Sequence, residues 1–464
     1  MPKTNSKVNQ IIEAIHAKIA NRTYLPGSRL PSVRLQAKSM QVSVSTVVEA
    51  YGRLMATGVI MSKRGSGYYV NTPIAPLSLN HLGPNLDRAV DPLWISRQSL
   101  TANDDMLKPG CGWLPESWMY EMGFRKALRQ VSRCDVKPLV EYAIPAGNLA
   151  LRQLLVRRLS KLEINIEVDQ IVLTESGTHA IDLLCRFFLE PGDTVLIDDP
   201  CYFNFQALLK AHRVNIVGIP YTKDGPDLEK FEIALKLSPR LYITNSGIHN
   251  PTGARLSTVK AHQLLKLVSD TNLIIIEDDI FADFELNPAP RLAAFDNLSQ
   301  VIQIGSFSKS ISASLRCGYI ATKAKWIEDL IDLKIATTFG GGHLASEVIV
   351  KILFDSGYQR YLESLRIRLA KKMQITIQKL SVLGITPYLV PEAGMFLWCQ
   401  LPMDVDAARL AKDCLSEGVI LAPGNVFSQS LNARSMLRFN VAQCDDKRIF
   451  EVLKRLLSGY EAGY

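Results

Sequence analysis

The chain has 464 residues, of which 47% are hydrophobic, so two or more domains with buried cores are expected. Its apolar runs are short, as at residues 273–276, and none approaches the roughly 20 residues that a membrane-spanning helix needs. The eight scattered cysteines form no Cys-x-x-Cys pair, and the N-terminus lacks the apolar stretch of a signal peptide. These features exclude a membrane protein, a zinc-finger protein and a disulfide-rich secreted protein. They predict a cytoplasmic chain with no membrane partner and no bound metal.

Positive charge is concentrated at the N-terminus. The first 75 residues hold ten Lys or Arg and two Asp or Glu; of the 53 basic and 45 acidic residues in the whole chain, the remaining 389 residues therefore hold 43 of each. A basic head on a formally neutral body indicates a polyanionic partner for the head. A solvated basic face without a partner would have the same composition, so charge alone leaves both interpretations open.

The N-terminal segment has the pattern of three helices followed by a β-hairpin. Helices are predicted over residues 8–19, 33–40 and 44–57, and short strands over residues 59–62 and 68–70. The side chains expected to face inward are Val8, Ile11, Ile12, Ile15, Ile19, Val33, Leu35, Ala37, Val44, Val47, Val48, Tyr51, Leu54 and Met55. This order predicts a winged helix-turn-helix in residues 1–70, followed by a linker at residues 71–87 that contains Asn-Thr-Pro, a further Pro and Gly-Pro and has no long periodic stretch.

Small hydroxyl side chains begin the predicted third helix. A helix-turn-helix places this helix in the major groove, so its first turn meets base edges and phosphates. Ser43, Ser45 and Thr46 lie in that turn, and Arg34, at the start of the preceding helix, is suited to a phosphate or a guanine. The wing would add five further DNA-binding residues, Lys63, Arg64, Gly65, Ser66 and Gly67. The alternative is a three-helix packing module that contacts no nucleic acid.

Several short motifs of this segment belong together. They are Arg-Leu-Pro-Ser-Val-Arg at residues 29–34, Ser-Thr-Val-Val-Glu-Ala-Tyr at residues 45–51, and Gly-Ser-Gly at residues 65–67. With them, most of residues 8–70 resembles the GntR-family DNA-binding domain, which implies double-stranded DNA as the partner. Many members have an arginine just before the recognition helix, where this chain has Val44, so one usual DNA contact is expected to be missing.

Beyond the linker, short apolar runs alternate with amphipathic stretches such as residues 258–268. The runs lie at residues 171–174, 194–198, 241–244, 273–277, 301–305 and 319–321. This alternation predicts a mostly parallel sheet covered by helices. The expected fold is therefore multi-domain α/β, with a second domain at residues 88–464. Its large lobe is expected at about residues 105–340 and a smaller α+β lobe at about residues 345–464.

Polar motifs follow the ends of these predicted strands. The carboxyl ends of parallel strands are where open α/β sheets bind ligands. The motifs are Ser176-Gly177-Thr178, Asp199-Pro200-Cys201-Tyr202, Asn250-Pro251-Thr252-Gly253, Asp278, and Ser306-Phe307-Ser308-Lys309. An amine, a carboxylate, an aromatic ring and a phosphate cup at a helix N-terminus are together what pyridoxal phosphate (PLP) requires. Taken singly, each has a structural explanation: Asn250 as a turn residue, Asp278 as a helix cap, and Tyr202 as part of the core.

In this order, the motifs resemble the fold-type I, aspartate-aminotransferase-like enzymes over roughly residues 105–460. The resemblance implies PLP as the cofactor, Lys309 as its Schiff-base lysine and Asp278 as the partner of the pyridine nitrogen, both of them catalytic. Tyr202 would stack on the ring and Asn250 would meet O3′. The phosphate would be held by Ser176, Gly177, Thr178, Ser306, Ser308 and Arg316. Arg438, in the Leu-Arg-Phe-Asn run, would hold the carboxylate of a substrate or effector, because its fork suits that group.

The sequence departs from these enzymes next to Asp278. Relatives usually carry a tyrosine two or three residues after this aspartate, and its hydroxyl meets O3′ of the cofactor. Here those positions are Ile280 and Phe281. We therefore expect cofactor binding to persist and catalysis to weaken, with at most a residual transaminase half-reaction.

A GntR-type head followed by an aminotransferase-like body is the layout of the MocR family of regulators, which the whole chain resembles. This resemblance implies a homodimeric, PLP-dependent transcription regulator that senses an amino compound or PLP itself. One alternative hypothesis is a PLP-dependent aminotransferase of an amino acid with a secondary DNA-binding head. Another is a scaffold that binds DNA without the cofactor.

Overall fold

The computed structural model describes residues 6–21, 23–63, 65–71, 92–103, 105–134, 136–402 and 405–461. The described chain separates into a smaller N-terminal unit and a larger unit that holds nearly all of the rest. Two predicted features lie outside the described residues: Arg64 of the wing, and the linker at residues 71–87 apart from Asn71. The predicted domain boundaries stay predictions.

The small unit consists of three helices and an antiparallel β-hairpin, as the sequence predicts. Its elements are α1 (Lys7–Ala20), α2 (Val33–Ser39), α3 (Val44–Ala56), β1 (Ile60–Lys63) and β2 (Gly67–Val70). Ser32 and Ser43 are the N-caps of α2 and α3, because each side-chain oxygen accepts a hydrogen bond from the backbone N–H three residues later. The core between the helices includes Ile11, Ile15, Ala37, Val47, Tyr51 and Leu54.

Three apolar side chains that were predicted to face inward are exposed instead. Leu35, Val44 and Val48 have exposed fractions of 58%, 51% and 50%. The buried stripe of α3 is narrower than predicted, because Val48 lies about 100° around the helix from the buried Val47. Val44 lies in the first turn, ahead of that stripe. The short helix α2 directs Ala37 rather than Leu35 to the core.

The large unit is built on an eight-stranded, mostly parallel sheet. Its strands are β3 (Ile171–Thr174), β4 (Thr194–Asp199), β5 (Asn215–Thr222), β6 (Gly225–Pro226), β7 (Leu241–Thr244), β8 (Ile274–Asp278), β9 (Val301–Ser306) and β10 (Gly318–Ala321). They lie in the order β3-β10-β9-β8-β7-β4-β5-β6, and the run from β9 to β5 is parallel. The parallel sheet predicted from the alternating runs is confirmed. Strand β5 was not predicted, because exposed and partly buried residues interrupt its apolar pattern.

Helices cover this sheet and form a second lobe toward the C-terminus. They are α4 (Pro92–Thr101), α5 (Glu121–Val131), α6 (Lys137–Val140), α7 (Leu149–Ser160), α8 (Gly177–Phe188), α9 (Phe203–Ala211), α10 (Leu228–Leu235), α11 (Thr258–Val268), α12 (Leu292–Asp296), α13 (Ile327–Thr338), α14 (His343–Leu353), α15 (Ser356–Ser381), α16 (Ala407–Ser416) and α17 (Lys447–Glu461). Across the described ranges, no helix combines the length and the apolar character needed to cross a membrane.

The smaller α+β lobe contains a four-stranded antiparallel sheet. Its strands are β11 (Thr386–Pro387), β12 (Phe396–Gln400), β13 (Ala422–Pro423) and β14 (Met436–Asn440), in the order β11-β12-β14-β13. Buried side chains of β12 and β14 pack with α15, α16 and α17 in one apolar cluster. Arg438 therefore lies on a strand, β14, whose neighbouring apolar side chains are packed in this cluster.

Candidate functional site

A cavity of about 230 Å³ lies in the large unit, where several parallel strands of the sheet end. It is lined by all of the residues predicted to bind the cofactor or a carboxylate: Ser176, Gly177, Thr178, Tyr202, Asn250, Asp278, Ser306, Ser308, Lys309, Arg316 and Arg438. These residues span more than 260 positions of the sequence. For the residues that follow strands of the large sheet, this convergence follows from the shared direction of those strands, which brings their carboxyl ends to one edge. Arg438 reaches the cavity from β14 of the smaller sheet.

Lys309 enters the cavity just after the end of β9. Its Nζ donates a hydrogen bond to the backbone oxygen of Gly112, at 2.6 Å. The surrounding protein removes water from the amine, and this desolvation, together with the nearby Arg438 guanidinium, lowers the pKa of Lys309 to about 8. A neutral amine is a nucleophile, so this lysine is better prepared to react with an aldehyde than a solvent-exposed lysine.

Asp278 is the last residue of β8 and is buried. Its Oδ1 accepts a hydrogen bond from the backbone N–H of Ile280 at 3.1 Å, and no cation of the described chain forms an ion pair with it. Desolvation raises the pKa of this carboxyl to about 6. A buried carboxylate without a cationic partner is suited to pair with a protonated ring nitrogen.

The predicted phosphate cup lies at the N-terminus of α8. Ser176 caps this twelve-residue helix, and the first backbone N–H groups of such a helix favour an anion. A Cβ at Gly177 would lie 3.7 Å from the Cβ of Ser306, and the Oγ atoms of Ser306 and Ser308 are 2.8 Å apart. Arg316 lines the same cavity from a left-handed backbone conformation with φ of 46°, which non-glycine residues adopt rarely. The cup therefore combines helix N–H groups, hydroxyls and a guanidinium.

Arg438 is a buried cation that has no carboxylate partner in the described chain. It is 1% exposed, its Nη1 donates to Asn250 Oδ1 at 3.0 Å, and its Nη2 donates to the backbone oxygen of Gly110 at 2.7 Å. The guanidinium lies over the rings of Phe396 and Phe427, 4.3 and 4.8 Å from their centroids. Its buried Nε has no hydrogen-bond partner among the described residues, and desolvation lowers the Arg438 pKa to about 10. A ligand carboxylate would supply the missing partner.

Tyr202 and Asn250 complete the walls of the cavity. Tyr202 follows β4, and burial raises the pKa of its phenol. The oxygen of the Asn250 side chain accepts a hydrogen bond from Arg438, so its Nδ2 group is the part left to donate to a ligand. The buried ring of Phe281 packs edge-on against Phe396 at 5.5 Å and offers no hydroxyl to the cavity.

Several groups of the site were missed from the sequence. Asn245 donates from Nδ2 to the backbone oxygen of Asp278 at 2.9 Å, and it could have been found because it directly follows β7. Gly110 and Gly112 supply the oxygens that hold Arg438 and Lys309, and the Pro-Gly-Cys-Gly run was a recognisable turn signal. No motif indicated the contribution of α4, whose cavity-lining residues are Ile95, Ser96 and Ser99.

A buried ion-pair cluster begins at the residue after Asp278, and it was not predicted from the sequence. Arg291 is 1% exposed and donates to both carboxylate oxygens of Asp279, each at 2.9 Å. It also pairs with Glu285. Asp279 accepts a further hydrogen bond from Gln303 of β9, at 3.0 Å. The cluster ties the residue after Asp278 to the neighbouring strand, and it therefore fixes the strand end that carries the site.

The small unit presents the predicted DNA-binding hydroxyls together. At the start of α3, Ser43 Oγ lies 2.8 Å from Ser45 Oγ and 2.6 Å from Thr46 Oγ1; Ser43 and Ser45 are exposed and Thr46 is partly buried. Arg34 is exposed in the first turn of α2. The start of α3 therefore presents a group of hydroxyls and the start of α2 presents a guanidinium, both of which suit phosphate and base contacts.

The wing is ordered by contacts around Tyr69. Lys63 Nζ lies 4.6 Å from the Tyr69 ring centroid, and Ser66 Oγ lies 2.6 Å from the Tyr69 hydroxyl. Gly65 and Gly67 adopt positive φ values of 75° and 112°, which a side chain would strain. These glycines make the tight turn possible, so the tip can approach DNA by its backbone.

Comparisons with known proteins agree with both units. Residues 124–456 match the family model for aminotransferase class I and II, and residues 7–70 match that for the gntR family of bacterial regulatory proteins. The uncharacterized HTH-type transcriptional regulator YdcR of Escherichia coli (strain K12) is 31% identical, over 97% of this chain and 98% of that protein. YdfD of Bacillus subtilis (strain 168), similarly named, is 28% identical over 96% of this chain and 95% of that protein.

Solved structures of aminotransferases share the fold of the large unit. LysN, an α-aminoadipate aminotransferase from Thermus thermophilus, aligns with a TM-score of 0.72 at 24% identity, over 80% of this chain and 96% of that structure. Fold and site thus define a winged helix-turn-helix followed in the chain by an aminotransferase-like domain. The chain belongs to the aminotransferase class I and II family and has the MocR-type architecture. Pyridoxal phosphate is the cofactor of this domain, and the residues of the cavity fit it.

Proposed function

We propose that this protein is a PLP-dependent, DNA-binding transcription regulator whose large domain senses an amino compound or PLP itself. One observation carries the proposal: a single cavity collects Lys309, Asp278 and Arg438 in a chain that begins with a GntR-type DNA-binding domain. Because the chain also has a DNA-binding domain, ligand binding in the cavity can control DNA binding. The names of the relatives, which describe HTH-type transcriptional regulators, support the same function.

Different residues of the cavity are assigned to different groups of PLP. Lys309 would supply the amine that reacts with the cofactor aldehyde, and Asp278 would pair with the protonated ring nitrogen. The N-terminus of α8, Ser306, Ser308 and Arg316 would hold the phosphate, Tyr202 would cover the ring, and Asn250 would donate to O3′. The bound cofactor supplies an electrophilic carbon and an electron sink.

Arg438 recognises the effector. A carboxylate placed on its fork would pair a buried charge that the described chain leaves without an anion. An effector that binds two arrangements of the protein unequally would shift the DNA affinity, which is the thermodynamic requirement for regulation. We further propose that the regulator acts in the cytoplasm as a homodimer on double-stranded DNA.

The proposed function is tested by genome-wide mapping of the protein on DNA, with the wild type and the Lys309→Ala variant compared under the same growth conditions. We expect discrete sites for the wild type and altered occupancy at those sites for the variant. Discrete sites with identical occupancy in the two strains would show that the cavity does not regulate binding. The absence of discrete sites would contradict the role of the head.

The complete Lys309, Asp278 and Arg438 set also favours a second candidate, an amino-acid aminotransferase with a secondary head. Incubation of the purified protein with amino acids and a 2-oxo acid distinguishes the two. Turnover of about 1 per second or faster is ordinary for enzymes and would favour the second candidate. We expect much slower turnover, because Ile280 and Phe281 provide no hydroxyl for O3′.

A further inference from the structure

The cavity contains one guanidinium that is available to a ligand carboxylate. Among the described residues that line it, the charged side chains are Asp278, Lys309, Arg316 and Arg438. Three of these serve the cofactor in the proposed function, and only Arg438 is left for an effector. A second ligand charge would therefore be buried without a partner, which is costly.

The wall that is not assigned to the cofactor is mainly apolar. It is formed by Ile95, Trp113, Ile181, Phe203, Phe205 and Leu208. Apolar walls select ligands by the hydrophobic area that they bury, and they disfavour charged groups. The composition of this wall points to an uncharged ligand side chain.

Helix α4 adds one polar group to this wall. Ser99 lines the cavity and is 2% exposed, and its buried hydroxyl has no hydrogen-bond partner among the described residues. Buried hydroxyls are normally paired, so an unpaired one on a residue that lines a cavity is a candidate partner for a polar ligand atom. Ser99 is therefore a candidate second contact, independent of Arg438.

Helix α4 also belongs to the apolar cluster next to Arg438, the residue assigned to the ligand carboxylate. Ile95 of α4 is 2% exposed and belongs to one apolar cluster with Phe203 and Phe427. Phe427 is the ring that lies 4.8 Å from the guanidinium of Arg438. A ligand that contacts both Arg438 and Ser99 therefore lies along one apolar cluster, which includes Ile95 of α4 and Phe427 beside Arg438.

From these contacts we infer that the effector is a neutral α-amino acid, whose carboxylate binds Arg438 and whose uncharged side chain packs on Ile95 and hydrogen-bonds to Ser99. This inference rests on the proposed function and specifies its ligand. Helix α4 is also the first described element of the large unit after residue 71. Among the described elements of the large unit it is therefore the closest in sequence to the DNA-binding head.

The ligand class is tested with the full-length, PLP-loaded protein by titrating amino acids and following the visible absorbance of the cofactor. Glutamine and glutamate are matched in shape and differ in charge, so they isolate the effect of a second carboxylate. We expect glutamine to bind at least tenfold more tightly than glutamate. Equal affinities, or tighter binding of glutamate, would overturn the assignment of a neutral ligand.

The role of Ser99 is tested with two hydroxyl pairs, tyrosine against phenylalanine and threonine against valine. In at least one pair the hydroxyl-bearing member should bind about two- to tenfold more tightly, and Ser99→Ala should remove that difference. The control is Leu100→Ala on the same helix, where the side chain is 74% exposed. A difference that is absent in both pairs, or that persists in Ser99→Ala, would refute the contact.

A gain-of-function variant keeps the test independent of folding losses. Ser96 lines the cavity from α4 and is only partly buried, so Ser96→Arg would add a second cation to the apolar wall. This variant should bind glutamate at least tenfold more tightly than the wild type does, and an unchanged glutamate affinity would contradict the placement of the ligand side chain against α4. A protein without any cofactor absorbance band would instead contradict the proposed function, so the two failures are distinguishable.

Discussion

The sharpest test of the effector site is the removal of the Arg438 guanidinium. In Arg438→Leu the ligand carboxylate loses a buried, bidentate, charged partner, while an apolar side chain still fills the space between Phe396 and Phe427. Loss of one member of a buried, hydrogen-bonded charge pair costs about 2–5 kcal/mol, which corresponds to roughly 30-fold to 4,000-fold in Kd. The same variant also frees Asn250 Oδ1, so the cofactor band is expected to shift slightly but to persist.

The assay is an absorbance titration of the PLP-loaded variant with the amino acid that binds the wild type most tightly. Its matched control is Arg434→Leu, which removes an exposed guanidinium paired with Asp406 near the same strand. A second control is an amine that lacks a carboxylate, whose affinity should change less than threefold in Arg438→Leu. An amino-acid affinity in Arg438→Leu within threefold of the wild type would refute the role of this residue.

Three other measurements address the cofactor lysine, the DNA-binding head and the buried ion-pair cluster. The rate of PLP incorporation into apo-protein, followed by stopped-flow absorbance, should rise about tenfold per pH unit below pH 8 and level off above it. The reason is that the Lys309 pKa of about 8 sets the fraction of neutral amine. A rate that does not change with pH would contradict this prediction. Arg34→Ala should weaken operator binding and reduce its salt dependence by about one counterion, and an unchanged gel-shift titration would remove Arg34 from the interface. Arg291→Met should lower the free energy of unfolding by about 3–5 kcal/mol in urea denaturation, because Asp279 and Glu285 would be left buried without their cation; a loss below about 1 kcal/mol would contradict this.

Much of the site was predictable because its residues follow one physical rule. Asp278 and Lys309 stand at or just beyond the ends of parallel strands, and the Ser176 motif begins a helix directly after β3. Short apolar runs mark such strands in the sequence, and polar residues at their ends then mark the ligand edge. Arg438 lies in the middle of an antiparallel strand, so only the family resemblance pointed to it.

The errors and omissions also have physical causes. Burial of Val44 and Val48 was predicted wrongly because helical periodicity defines a face but not its width, which depends on the neighbouring helices. The carbonyl groups of Gly110 and Gly112 act through the backbone, which carries no side-chain signature. The contribution of α4 depends on an apolar cluster that contains both Ile95 and Phe427, which are more than 330 residues apart, and no local pattern encodes that cluster.

The central claim is that the amine of Lys309 carries the cofactor in a protein that binds DNA. Its most direct test is borohydride reduction of the PLP-loaded protein, followed by peptide mapping by mass spectrometry. We expect a reduced pyridoxyl adduct on the peptide that contains Lys309, and no adduct in Lys309→Ala. A protein that remains colourless with PLP and yields no adduct at this position, or an adduct confined to another lysine, would show that Lys309 does not bind the cofactor.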